Sequence, residues 1–378
     1  MKRFFSYSIL SFFLLLLPTG QASANNNDSI RLSLLTCAPG EEIYSLFGHT
    51  AIRYENSSQG IDVVFNYGLF SFNTPNFIFR FSLGETDYQL GATDYERFAA
   101  EYAFFGRSVW QQTLNLTDEE KTELIRLLQE NYRPENRVYR YNFFYDNCAT
   151  RPRDKIEESI AGKVIYPAEP QDGSLTFRDI VHQYCKGHPW ARFGIDLCIG
   201  SEADQPITQR QMMFAPFYLM DAFDGAQIKG DSIQRPLITA NELIVDATPE
   251  PDESDWMPTP LQCSLLLFIL TAAATIYGIR RRTGLWGIDL FLFGIAGIVG
   301  CVLAFLALFS QHPAVSSNFL LLVFHPGQLL FLPYIIYCVR KGKKCWYLTL
   351  NLAVLTLFIV LFPVIPQRFD FAVVPLAL

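Results

Sequence analysis

Charge is scarce in this sequence: 18% of its 378 residues are Asp, Glu, Lys or Arg, against 50% hydrophobic residues, and its mean hydropathy is positive. Acidic residues outnumber basic ones in the region where a nucleic-acid partner would need the reverse. Residues 25–260 hold 20 Lys and Arg against 35 Asp and Glu, with no basic stripe. That argues against nucleic acid as a partner, because such binding draws most of its affinity from Lys and Arg neutralising phosphates. Histidine occurs at only 5 positions, and no His, Cys or carboxylate spacing fits a metal site. No internal repeat is present, which excludes solenoids and propellers. Neither a metal nor another cofactor is expected.

What the sequence does contain is long apolar runs. Residues 1–24, MKRFFSYSILSFFLLLLPTGQASA, place a short basic stretch before an apolar core and end in Ala-Ser-Ala, which predicts a signal peptide cut after Ala24. From Leu261 onward, four runs at about 261–279, 285–309, 319–339 and 346–366 each approach the roughly 20 residues needed to cross a bilayer. Arg280, Arg281 and Arg282 follow the first run, and Arg340, Lys341, Lys343 and Lys344 follow the third. The positive-inside rule then puts both short loops in the cytoplasm. Ser310 to Asn318 and the tail after Pro366 therefore face the exported side, in agreement with the leader. His325-Pro326-Gly327 interrupts the third run, so that span is expected to be broken or partly re-entrant, with His325 as a kink residue near a bundle interface. Residues 246–260 are acidic and Pro-rich and read as an extended linker. The plan is a signal peptide over 1–24, an exported domain over 25–245, the linker over 246–260 and an all-α membrane domain over 261–378.

Within the exported domain, Arg31-Leu-Ser-Leu-Leu and Phe47–Tyr54 alternate as strands, and the turn at 55–60 leads into a third strand, Ile61–Tyr67, making a hairpin. Ser82–Gln89 is expected to add another strand. Thr117 with Glu120 predicts a capped helix running through Gln129. A second helix is expected to start at Cys148 and continue through Ile160. A thiol at a helix N-terminus meets unpaired N–H groups and the positive end of the dipole, which favours the thiolate. The same N–H groups can hold an oxyanion. Of His49, His182 and His188, His49 is the best-placed base, on a strand between the small residues Gly48 and Thr50. By themselves these residues leave Cys148 open between a nucleophile, a buried structural cysteine and half of a disulfide.

Four motifs go further: Phe47-Gly-His-Thr-Ala-Ile-Arg, Phe65-Asn-Tyr-Gly, Tyr145-Asp-Asn-Cys-Ala-Thr-Arg-Pro-Arg-Asp and Phe193-Gly-Ile-Asp-Leu-Cys-Ile-Gly-Ser-Glu-Ala-Asp. They resemble the Lnb-type lipoprotein N-acyltransferases, which join a periplasmic domain to a multi-span membrane domain. The order of strand His, partner-strand polar residue and helix-start Cys is also similar to permuted papain-like proteins, the group related to NlpC/P60 enzymes and lecithin–retinol acyltransferase. The resemblance implies an α+β permuted papain-like periplasmic domain ahead of about four transmembrane helices in the inner membrane. It also implies Cys148 as nucleophile, His49 as base and Asn66 as the residue orienting His49. Asp62 competes for that last role. Pairing about a turn centred near 57 or 58 puts His49 opposite residue 66, which favours Asn66.

The implied reaction moves an acyl chain from a membrane phospholipid, through a Cys148 thioester, to the α-amino group of a diacylated lipoprotein. Outside the cytoplasm there is neither ATP nor acyl-CoA, so an ester already in the bilayer must be the donor. The alternatives are an NlpC/P60-like cysteine amidase or peptidase of the cell wall, a phospholipase, and a non-catalytic scaffold. Tyr145, Arg151 and Arg153 flank the nucleophile as candidate substrate contacts, although salt bridges to Asp146, Asp154 or Glu157 compete for the two arginines. His312 lies in the exported-side loop where lipid would enter, with a plain loop role as its competitor. An oxidising compartment favours one disulfide, and Cys185 with Cys198 closes the shortest loop.

Overall fold

The computed structural model describes residues 29–73, 75–167, 175–230, 234–247 and 256–378. The expected signal peptide and the middle of the linker lie outside these residues. The exported domain is α+β. Its main sheet uses β1 (Ile30–Cys37), β2 (His49–Asn56), β3 (Ile61–Leu69), β4 (Asp87–Asp94), β5 (Val109–Leu114) and β6 (Val138–Arg140). A small second sheet holds β7 (Lys163–Ile165), β8 (Gln227–Lys229) and β9 (Gln234–Pro236), and β10 (Ile238–Val245) closes one edge of the first. The main order is β10-β5-β1-β2-β3-β4-β6, and every pairing along it is antiparallel.

The exported helices are α1 (Phe77–Ser82), α2 (Tyr95–Phe104), α3 (Asp118–Tyr132), α4 (Thr150–Ser159), α5 (Phe177–Tyr184), α6 (Pro189–Cys198), α7 (Gln209–Met212) and α8 (Pro216–Asp224). Because strand side chains alternate, β1 feeds two cores. Leu32 and Leu34 join Ile52, Phe65 and Leu90 beneath Leu124 and Leu128 of α3 and Ile156 of α4. Leu35 and Cys37 join Ala51 and Val64 beneath Phe98 of α2. Helix α3 begins as expected: Thr117 accepts from the Glu120 N–H while the Glu120 carboxylate accepts from the Thr117 N–H. The strand expected over Ser82–Gln89 is corrected. Ser82 closes α1, and β4 begins only at Asp87, since the run Phe77-Ile-Phe-Arg-Phe packs its rings at helical spacing, with Phe77 stacked on Phe81.

The membrane domain comprises α9 (Pro260–Arg281), α10 (Trp286–Phe309), α11 (Pro326–Leu330), α12 (Leu332–Lys341), α13 (Trp346–Leu361) and α14 (Val373–Ala377). Among the described residues, α9 and α10 are each long and apolar enough to span a bilayer. The third run is broken, its halves Phe319–Leu330 and Leu332–Lys341 meeting at 72°. It counts as a span only if the bent pair is taken as one. Helix α13 has 16 residues, short of the roughly 20 that a full crossing needs. Of the four expected spans, two among the described residues are long and apolar enough to cross on their own, or three with the bent pair, and the fourth run forms the shorter apolar α13. His325 caps the start of α11, ahead of this bend, and its Nε2 lies 3.2 Å from Asn351 Oδ1. A Cβ at Gly300 would overlap the His325 backbone, so this glycine lets α10 pass against the irregular segment.

The exported domain rests directly on the membrane domain. The Gly200 N–H donates to Ala314 O at 2.7 Å and the Ser201 N–H to Ser317 O at 2.9 Å. Asn318 Nδ2 donates to Leu197 O at 2.7 Å. Arg368, in the C-terminal tail, pairs with Asp179 at 2.6 Å and Asp204 at 3.0 Å. Behind this contact, the fully buried Arg178 binds Asp196 at 2.6 Å and Asp204 at 2.8 Å. The motif from Phe193 to Asp204 is therefore a docking element.

Candidate active site

Two glycines shape the site. Gly48 has φ +78, and a Cβ there would stand 2.5 Å from Cys37 O, so glycine permits the tight entry that starts β2 at His49. Gly68 has φ +92, and its Cβ position would be 3.6 Å from the Cys148 Cβ. A side chain at 68 would be strained and would stand against the cysteine. The glycines of the Gly-His and Asn-Tyr-Gly motifs are thus explained by the backbone around Cys148 and His49.

His49 Nε2 lies 3.2 Å from Asn66 Oδ1. The amide oxygen only accepts, so Nε2 carries the proton and Nδ1 keeps its lone pair. The register differs from expectation by two residues: Asn66 lies opposite Ala51. His49 and Asn66 are diagonal neighbours on one face, a separation long polar side chains span. Asp62 does not compete, because both its oxygens bind Arg53, at 2.8 and 2.6 Å.

Cys148 precedes α4, whose N-cap is Ala149. The side chain of Asn147, which the sequence reading missed, builds this corner. Its Oδ1 accepts from the N–H groups of Ala149 at 2.8 Å and Thr150 at 3.0 Å, while its Nδ2 donates to Phe143 O at 2.8 Å and Phe214 O at 2.9 Å. The N-terminal donors expected to serve Cys148 are therefore already occupied. Two others turn to the sulfur, the N–H groups of Thr50 and of Cys148 itself. Thr50 directly follows His49, which brings β2 to the thiol.

The expected depressed thiol pKa is corrected. Burial pushes the Cys148 thiol up to about 11, outweighing the two N–H groups that lower it. Burial likewise pushes His49 down to about 4, against the Asn66 hydrogen bond that raises it, with the Arg107 cation adding to the drop. At neutral pH both groups are uncharged. Cys37, opposite His49 on β1, is pushed up to about 12 by burial and remains an inert core thiol.

Arg107 is a second residue missed from the sequence, since nothing in Phe-Phe-Gly-Arg-Ser marks it. Its Nε donates to Ala38 O at 2.8 Å, and its guanidinium lies 4.7 Å over the Tyr102 ring. The other candidates are engaged elsewhere. Arg151 forms a two-point pair with Asp146, at 2.5 and 2.8 Å, and stacks on Tyr139. Arg153 is buried against Asp154 and Arg210 O. Neither offers a free fork to a phosphate. Tyr145 is exposed, with its ring edge-on to Phe177. His312 Nε2 lies 2.6 Å from Phe81 O, which fastens α1 to the membrane domain. His182 is paired with Asp196 at 2.8 Å and His188 with Glu41 at 3.7 Å. Cys185 and Cys198 are both free thiols. Cys185 is the C-cap residue of α5 and Cys198 the last residue of α6. Among the described residues no metal-binding cluster occurs.

An exported α+β domain seated on a helical membrane domain defines the class, a membrane protein with a folded domain outside the bilayer. Two family models match: the Lnb N-terminal periplasmic domain over residues 20–182 and the Lnb transmembrane domain over residues 252–378. Together they account for most of the chain, which belongs to the Lnb family, and its general function is of the lipoprotein N-acyltransferase type. Neither a curated protein nor a solved structure matches the chain.

Proposed function

We propose that the protein transfers an acyl chain from a membrane phospholipid to the α-amino group of the diacylglyceryl-cysteine of a lipoprotein, through a thioester on Cys148, at the periplasmic face of the inner membrane. The observation that carries this reading is the pairing of His49 with Asn66 one residue from the Thr50 N–H that meets the Cys148 sulfur. The order of strand His, partner-strand Asn and helix-preceding Cys also supports a permuted papain-like domain.

The chemistry starts from a neutral thiol. As sulfur attacks the ester carbonyl carbon, His49 Nδ1 takes the thiol proton while its Nε2–H stays on Asn66. The N–H groups of Cys148 and Thr50, which act on the sulfur, would serve as donors for the oxyanion. The intermediate collapses by breaking the carbon–oxygen ester bond, and the proton passes to the lysophospholipid alkoxide. The acceptor amine then attacks the thioester, His49 takes its proton, and that proton returns to the departing sulfur. Two easier steps replace direct attack of an amine on an ester. Because donor and acceptor are both held in the bilayer, docking the domain on the membrane domain supplies proximity.

Intact-mass analysis of the purified protein with phosphatidylethanolamine vesicles tests this. Without acceptor, the wild type should gain one hydroxylamine-labile acyl mass that Cys148→Ala lacks. With a diacylated lipopeptide, the acyl group should move to its N-terminus. Release of free fatty acid alone would replace the transferase by a phospholipase. Cleavage of wall peptide without any acyl adduct would favour the amidase.

A further inference from the structure

Helix α1, with the sequence Phe-Ile-Phe-Arg-Phe-Ser, buries none of its residues in the protein. Ile78 is 81% and Phe79 58% exposed. An aqueous surface would not favour such a helix, but α1 is fixed to the exported end of α10, where Gln311 N–H donates to Leu83 O at 2.9 Å and His312 meets Phe81 O. Between the two helices lies an open groove of about 880 Å³, walled by Phe72, Phe77 and Phe79 on one side and Val302, Phe305 and Leu306 on the other. Helix α10 is long and apolar enough to span a bilayer, so a groove along its exported half would open toward hydrocarbon.

The groove is joined to the thiol by a short path. From Gly68, beside Cys148, the chain runs four residues to Phe72 at the groove wall. Along it, the Phe70 ring packs edge-on to Phe72 at 4.9 Å, stacks on Phe77 at 5.8 Å and tilts against Tyr88 at 5.0 Å. These rings make a continuous apolar surface between the Cys148 corner and the bilayer.

We infer that the groove between α1 and α10 receives the tail of the acyl chain carried by Cys148, holding it at the bilayer edge between the two half-reactions. This rests on the thioester reading above. Of the chains present, the one bonded to sulfur is the one that must leave its carbonyl at Cys148 while its tail stays out of water. The chains of the lysolipid and of the acceptor can remain in the membrane. Burial of the tail in the groove also makes the groove a determinant of which chain length is transferred.

The test uses the full-length protein and phosphatidylethanolamine donors with hexadecanoyl or octanoyl chains. Val302→Trp, which narrows the groove, should lower the rate of thioester formation from the hexadecanoyl donor relative to the octanoyl donor by roughly tenfold or more, since denying burial to even two methylenes is worth that much. In the wild type, a hexadecanoyl donor with a photoreactive group at the chain terminus should label the segments 72–79 and 301–306. Equal rates with both donors in Val302→Trp, or wild-type label confined to other segments while the thioester still forms, would overturn the groove and leave the thioester standing. Absence of a thioester from either donor in the wild type would overturn the underlying reading. If Val302→Trp does not fold, the wild-type labelling decides.

Discussion

His49 and Asn66 meet at 3.2 Å although they are not cross-strand partners. Asn66 faces Ala51 in the register, and His49 reaches it diagonally from the first position of β2. Asn66→Ala should slow Cys148 acylation by on the order of 10²-fold, the low end of what a well-oriented general base supplies. Asp62→Ala should leave the rate nearly unchanged, because Asp62 serves Arg53. Single-turnover acylation rates check the ranking, and the opposite order would reassign the orienting residue.

The two buried titrations predict an unusual pH dependence. Folded His49 sits near 4 rather than its ordinary 6.5, so between these values the unfolded chain binds more protons than the folded one. Stability from this residue is fully present above pH 6.5 and is lost as pH falls toward 4. His49→Gln should flatten that slope in thermal melts. The acid limb of thioester formation should likewise have its midpoint well below 6.5, because only protonated His49 is unable to accept the thiol proton. A midpoint at or above 6.5 would show a solvated imidazole.

Asn147 makes four hydrogen bonds in a buried corner. Asn147→Ala strands two N–H groups and two carbonyls, and should cost about 4 kcal/mol or more of stability at ~1 kcal/mol or more per unsatisfied group. It should also release the Cys148 corner. The thermal midpoint should fall, and alkylation of Cys148 by a small iodoacetamide probe should accelerate. An unchanged midpoint would mean the corner is held by other contacts.

Gly200 approaches the membrane-domain loop so closely that a Cβ would stand 2.5 Å from Ser317 O. Gly200→Val should therefore lift the exported domain from its seat while leaving its own core intact. Acylation from phospholipid should drop by roughly tenfold or more as proximity is lost, and protease should cut the loop 310–318 faster. Full activity with unchanged cleavage would show that docking is dispensable.

Much of this protein is decided locally and is therefore legible in its sequence. Apolar runs and basic clusters mark the membrane segment because the bilayer imposes length and charge rules on contiguous residues. The strands Ile30–Cys37 and Ile61–Leu69 follow from period-two alternation, and the Thr117–Glu120 cap from side chains three positions apart. The proposed roles of Cys148, His49 and Asn66 come from motif order, and the structure adds the contact of His49 with Asn66. Other features depend on residues far apart in the chain. The hairpin register, and with it the diagonal contact of His49 with Asn66, is set by how the whole sheet packs between two cores. The raised thiol and lowered imidazole values come from burial among distant elements, which overrides the helix-end effect that local sequence suggests. Arg151 and Arg153 bear the right chemistry for phosphate, but Asp146, Asp154 and the Arg210 carbonyl occupy them. Asn147 and Arg107 take on their roles only when residues 38, 143 and 214 come to meet them. The docking of Phe193–Asp204 on the membrane domain, and the apolar groove between α1 and α10, likewise exist only after segments more than a hundred residues apart are brought together, because a surface shared by two domains is written in neither of them alone.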